Sequence, residues 1–172
     1  MSDTIRVICS LGEAFAPRPV FSAGELEAML VGYLALTVAA IFAGAAFYVS
    51  FAEQKARLAL NDREMLAEWK PAYKRGFAMQ APLAIIGFLL GVAAWWFSGR
   101  ALFLAGALLM LANWPWTLFV MMPTNMALMA IQLDDAGAQG RLLMIRWNKL
   151  HSVRTVLAGL AILGFLFALA SK

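Results

Sequence analysis

Residues 77–116 read FAMQAPLAIIGFLLGVAAWWFSGRALFLAGALLMLANWPW. Two charge-free runs meet at the short turn Ser98-Gly99-Arg100, and each is long enough for the roughly 20 apolar residues that a spanning helix needs. Backbone groups in lipid must be hydrogen-bonded internally, and the strict alternation of barrel strands is absent, so both runs are helices. A turn this short makes them an antiparallel hairpin. Working outward, residues 26–52 and 153–170 form two further apolar runs. The expected fold is an all-α integral membrane four-helix bundle of two antiparallel hairpins. Its helices are placed at about 26–52, 77–98, 101–131 and 153–170, in a transmembrane domain over 26–172. Residues 1–25 carry both signs of charge and two prolines and read as an N-terminal arm, with a short interfacial helix over Ile5–Phe15. No signal peptide is evident there.

Composition agrees. Hydrophobic residues make up 63% of the 172 and charged residues 14%, with mean hydropathy +0.75; soluble domains run at about a half and a quarter. A chain of this size buries only roughly two thirds of its surface. A bilayer must cover the rest, which excludes a soluble enzyme. The single Cys9 excludes disulfide frameworks, CxxC redox pairs and zinc-finger spacings. The single His151 excludes bis-histidine haem and histidine-box diiron sites. No phosphate loop or dinucleotide fingerprint is present, so no nucleotide cofactor is expected. A metal site would need His151 plus carboxylates, of which only Glu53 falls at its level, so no metal is expected either.

The net charge of +4 reports topology rather than nucleic-acid binding. Ten Lys and Arg flank the two long connections (Lys55, Arg57, Arg63, Lys70, Lys74, Arg75, Arg141, Arg146, Lys149, Arg154), against four elsewhere (Arg6, Arg18, Arg100, Lys172). Residues 53–76 and 132–150 are therefore expected in the cytoplasm and both termini outside. The expected home is a bacterial inner membrane. Trp95 and Trp96 then fall in an outer aromatic belt, and Arg57 reads as a solvated interfacial charge.

Polar residues at membrane depth are costly and turn inward. In this orientation Glu53 and Gln54, Gln80, Thr124 and Asn125, and His151 and Arg154 all fall at one level. Trp147, His151 and Arg154 stand at i, i+4 and i+7 and share a helix face. Tyr73 and Gln80 share another. In helix three Asn113, Trp116 or Thr117, Val120 and Thr124 form a stripe, and Pro115 and Pro123 each remove a helical hydrogen bond and bend the helix. Trp69-x-x-x-Tyr73-x-Arg75 and Trp147-x-x-x-His151-x-x-Arg154 suggest a faint internal repeat. A pocket among these residues is the expectation.

The segments FAEQKARL (51–58), WKPAYKRGFAMQAPLA (69–84), NWPWTLFVMMPTNMAL (113–128) and RWNKLHSVRTVLAG (146–159) resemble the anthrone-oxygenase-like family. That family comprises small four-helix membrane proteins, most of them bacterial members without an assigned activity. The resemblance implies the bundle, and its fungal members oxidise polyketide anthrones to anthraquinones. On this basis the expected function is a cofactor-independent oxygenase acting on an anthrone-like aromatic ketone or phenol. His151 is the candidate base, since imidazole titrates near neutrality. Arg154 and Asn125 are candidate oxyanion donors, and Glu53 orients His151 or pairs with an arginine. Tyr73, Gln80, Trp69, Trp116, Trp147 and Thr124 are the candidate substrate-binding residues. The expected partners are the lipid bilayer, an aromatic small molecule and O2, with homo-oligomerisation left open. The rival reading is a non-enzymatic tetraspan that binds a quinone or lipid, or an accessory subunit of a membrane complex.

Overall fold

The charge-free runs are helical in the computed structural model of the protein, which describes residues 23–171. The expected N-terminal arm lies almost wholly outside the described residues. Helix one runs as α1 (Ala23–Tyr48), a π-helical turn π1 (Val49–Glu53) and α2 (Gln54–Leu58). Helix two is a single element, α3 (Asp62–Ser98). Helix three comprises α4 (Ala101–Pro115), a second π-helical turn π2 (Trp116–Met121) and α5 (Met122–Ala130). A 3-10 turn (Leu133–Asp135) leads to helix four, α6 (Ala138–Ala170). All four helices are long and apolar enough to span a membrane. Among the described residues there is no strand. This is an integral membrane helical bundle.

Two helices are much longer than the hydrophobic runs that announce them. Helix two starts at Asp62 rather than 77, and helix four at Ala138 rather than 153, so the two long connections shrink to 59–61 and 131–137. The hydropathy run marks only the lipid-depth part of a helix. Its polar continuation is signalled by capping instead: the Asn61 side chain accepts from the Glu64 N–H at 2.9 Å, and Asp62 and Glu64 lie in the first turn. The 37 residues of α3 span ~55 Å at 1.5 Å each, against ~30 Å of hydrocarbon. One end of the bundle therefore projects beyond the apolar slab.

The helices form a ring in which each packs on its two sequence neighbours, and helix four closes on helix one. At the projecting end, basic side chains satisfy carbonyls left free at helix C-termini. Arg141 donates to Leu58 O (2.8 Å) and Leu60 O (2.7 Å) and pairs with Asp62 at 2.6 Å. Lys70 donates to Met129 O and Ile131 O. At the other end Gly99 takes φ +69°, its N–H donating to Trp95 O at 2.7 Å. Its missing Cβ is what permits so abrupt a stop. Arg100 there donates to Ala168 O at 3.0 Å. Trp96 is exposed, as a belt residue would be, whereas Trp95 packs partly against the core.

The interior has two cores. Towards the 98–100 turn, Ala35, Ala39, Phe42, Ala84, Ala94, Phe103, Ala158, Ala161 and Phe165 pack together. Helices in lipid associate through close packing of small residues rather than hydrophobic drive, and here Gly91 and Gly106 admit the Phe165 ring. At the projecting end Met65, Leu66, Trp69, Met121, Leu128, Met144 and Trp147 form a second core of large side chains. A Cβ on Gly106 would fall 2.6 Å from Phe165 Cε1, whereas one on Gly159 meets nothing within 4 Å. Gly106→Ala should accordingly lower the unfolding free energy by ~1–3 kcal/mol, the usual cost of overpacking. Gly159→Ala should leave it unchanged or raise it by up to ~1 kcal/mol. Unfolding in mixed micelles titrated with dodecyl sulfate measures both.

Candidate functional site

Between the two cores lies a layer of buried polar side chains: Gln54, Arg57, Gln80, Asn113, Thr117, Thr124, Asn125, His151 and Arg154. They come from all four helices. A cavity of about 220 Å³ opens within this layer. Both π-helical turns border it, through Val49 and Glu53 on π1 and Thr117 and Met121 on π2. A π turn carries one more residue than an α turn and re-aims the side chains that follow. In helix three this puts Asn113, Thr117, Met121 and Asn125 on the inner face in successive steps of four.

One wall is aromatic. Trp69 stacks on Tyr73 (centroids 5.0 Å, planes 11° apart), and Trp147 stacks on His151 (4.8 Å, 23°). The two indoles meet edge to face at 5.8 Å. The two Trp-x-x-x-aromatic segments of the suspected repeat thus face each other across the site. They diverge one turn on, for Arg154 is buried whereas Arg75 is exposed. Trp147 Nε1–H donates to Asn125 Oδ1 at 2.8 Å, which fixes the amide with its Nδ2 free. His151 Nδ1 lies 3.0 Å from Ser50 Oγ on π1, a hydrogen bond that holds the imidazole plane.

The two arginines of the wall differ in their partners. Arg57 is buried and bonds to Glu53, Glu68 and Gln54, so its charge is neutralised twice over. Gln54 in turn donates to Met144 O at 3.2 Å. Arg154 is equally buried but has no carboxylate within ion-pair distance among the described residues. Its guanidinium lies over the Phe42 ring at 5.1 Å, its Nε–H has no hydrogen-bond partner, and it borders the cavity. Tyr73 lies near it and near the Asn125 amide. A buried cation without a counter-ion is costly. The Arg154 edge of the cavity, with the Asn125 amide and the Tyr73 hydroxyl near it, can lower the cost of negative charge brought there.

Of the residues singled out from the sequence, His151, Arg154, Asn125, Glu53, Tyr73, Gln80, Trp69 and Trp147 line the cavity together. Trp116 and Thr124 do not. Trp116 is spent on packing, its Nε1–H donating to Leu150 O at 3.0 Å, and Thr124 is buried outside the cavity. Arg57 is not a solvated charge: it is 2% exposed. Its burial follows from the extension of helix two, which brings up Glu68. Glu53 meets Arg57 rather than the imidazole, so the pairing alternative is the one present. Ser50 and Glu68 carry no sequence signal as site residues, although the i, i+4 spacing of Glu53 and Arg57 marks the ion pair. Among the described residues no three His, Cys, Asp or Glu side chains cluster as a metal site would require.

Comparison with known proteins places the chain in a family. The family model "Anthrone oxygenase" matches residues 69–164, which carry the aromatic wall, π2, Asn125, His151 and Arg154. An anthrone oxygenase of Claviceps purpurea (strain 20.1) is 32% identical, over 78% of this chain and 86% of its own. No solved structure gives a significant match. The lining that helices two, three and four supply lies inside the matched region, the helix-one lining before it, and the chain belongs to the anthrone oxygenase family.

Proposed function

We propose that the protein oxidises a flat, electron-rich aromatic ketone of the anthrone type, using O2 and the substrate's own electrons. The observation that carries this reading is Arg154: a buried cation, without a carboxylate partner among the described residues, in the wall of an aromatic cavity that also holds His151. Such a cavity suits a planar molecule that becomes an anion only once bound.

The chemistry needs three things from the protein. A base must remove a proton from the CH2 between the aromatic rings. In the working tautomer His151 donates Nδ1–H to Ser50 Oγ, which leaves the Nε2 lone pair for this step. Donors must then hold the developing enolate oxygen, the role assigned to Arg154 and Asn125 Nδ2. Water must be kept out while the carbanion gives one electron to O2. The carbon radical and superoxide combine, and the proton held by His151 completes a hydroperoxide. Loss of water leaves the carbonyl. One CH2 and one O2 become one C=O and one H2O. Trp69, Tyr73 and Trp147 hold the ring system, and Gln80 holds a polar edge of the substrate.

The test is turnover of an anthrone by protein in lipid nanodiscs, with O2 consumption and quinone formation measured together in a ratio of one to one. Chelator and the absence of added flavin or nicotinamide should leave the rate unchanged. His151→Ala should cost on the order of 10²–10⁴ in rate, and Arg154→Met or Asn125→Leu roughly 10²–10³. Trp96→Phe, on the exposed surface, should cost nothing. The rate should fall on acidification, because a protonated imidazole cannot accept the substrate proton. An anthrone bound tightly but never oxidised would replace this reading with the binding-protein one.

The orientation belongs to the same proposal. The projecting end carries the Lys and Arg excess and is placed in the cytoplasm, with both termini outside. In a Cys9→Ser background, an impermeant thiol reagent added to intact cells should label Ser171→Cys and leave Asp134→Cys unlabelled. The reverse pattern would invert the topology.

A further inference from the structure

We infer that the substrate enters the cavity sideways from the bilayer, through a gap between helices one and two whose threshold is Gly76. The inference takes the entrant's identity, a flat aromatic ketone, from the proposed function; the route itself rests on geometry. The axial routes are closed. Met65, Leu66 and Trp69 are fully buried at the projecting end, with the Arg57 ion pairs beside them. Phe42, Phe103 and Phe165 close the other end. The walls on helices three and four are closed too, since every cavity-lining residue there, from Thr117 to Arg154, is buried.

The lining residues of helices one and two are different. Tyr48 is 61% exposed and Met79 is 48% exposed, and both border the cavity. The lining here also includes the small side chains of Ala45 and Ala72, and Gly76, where an added Cβ would meet nothing within 4 Å. These three small residues leave a low point in the wall, flanked by the larger Tyr48, Phe77 and Met79. Its level is set by the sequence around it. Gly76 follows the exposed Lys74 and Arg75 and precedes the charge-free run that begins at Phe77. Phe47 and Phe51 stack on the lipid side of helix one, with Lys55 over Phe51 at 4.3 Å. Basic and aromatic residues mark the boundary between headgroups and acyl chains. A planar aromatic with one polar edge gathers at that boundary, so the gap opens where such a molecule is most concentrated. Gly76 is then a residue that sets entry and the size of what enters, without touching the reacting atoms.

The experiment uses the full-length protein in phosphatidylcholine nanodiscs and 9,10-anthraquinone as probe, delivered in lipid. Uptake is followed by stopped-flow quenching of tryptophan fluorescence. Gly76→Phe should slow association by on the order of tenfold or more, as blocking an entry step does. Gly44→Phe is the control, for Gly44 also has open space around it but lies off the cavity wall, and its rate should stay wild-type. Should the Phe variant not fold, Gly76→Cys in a Cys9→Ser background, alkylated after folding with a small or a bulky maleimide, reads the same step. Equal association rates for the Gly76 and Gly44 variants overturn the lateral route, and so does a wild-type protein that takes up no probe. Uptake with the expected Gly76 effect, but no oxidation of an anthrone, overturns the proposed reaction and leaves the route standing.

Discussion

Hydrocarbon offers no hydrogen bonds, and most of this molecule follows from that constraint. A helix that carries Gln80, Asn113 or Arg154 into the apolar slab has to point it inward, at another helix that does the same. The four helices therefore gather their polar side chains into one internal layer. Some of those groups are satisfied locally, as where Thr117 Oγ1 donates to Asn113 O at 2.7 Å and Asn113 Nδ2 donates to Leu109 O and Met110 O, although Asn113 Oδ1, away from the main cavity, has no partner. Others are not. Gln80 Oε1, Trp69 Nε1, Asn125 Nδ2 and Arg154 Nε have no hydrogen-bond partner among the described residues, and all four residues border the cavity. A membrane protein tolerates such a set where a ligand with complementary groups lowers its cost.

The π-helical turns are how the backbone reconciles two incompatible faces. Above π1, helix one presents Ala35, Ala39, Phe42 and Ala46 to the apolar core; below it, Gln54 and Arg57 to the ionic cluster. An unbroken α-helix would set Gln54 about 80° round from Ala46, and the extra residue of π1 brings it back into line. The same holds in helix three, where Pro115 stands directly before π2 and already lacks the N–H of a regular turn. π turns recur at functional positions in helices, and here each delivers a side chain to the site: Ser50 against His151, and Thr117 in the cavity wall.

The number of helices, their antiparallel order and the level of the site were legible because they depend on hydropathy and on charge placement. The face shared by Trp147, His151 and Arg154 was legible because α6 is a regular helix from end to end. Helix three was harder. A period of 3.6 leaves Trp116 and Thr117 as alternatives and sets Val120 and Thr124 in the stripe, whereas the extra residue of π2 puts Thr117, Met121 and Asn125 in the cavity wall. Pro115 and Pro123 announce a disturbance without stating its kind. Arg57 was unreadable for another reason. Its burial depends on Glu68, three turns before the apolar run of helix two starts, in a segment that hydropathy assigns to a loop. Charge patterning alone cannot distinguish a solvated arginine from one enclosed by two carboxylates.

The side chains that stand between the helices change in size along the bundle. Interaxial distance is set by the side chains at the contact. Near the 98–100 turn those are Gly91, Gly106 and Ala107 against a single Phe165 ring, so the helices approach closely. At the projecting end Trp69, Trp147, Met65 and Met144 stand between the same helices and hold them apart. Between a narrow end and a propped end, a layer of medium-sized polar side chains cannot fill the space. The edge-to-face contact of Trp69 with Trp147 therefore does two things at once: it sets the separation of helices two and four, and it supplies the aromatic wall. Each indole is thus both a packing contact between helices two and four and part of the cavity lining, so truncating either to alanine alters the packing and the wall together.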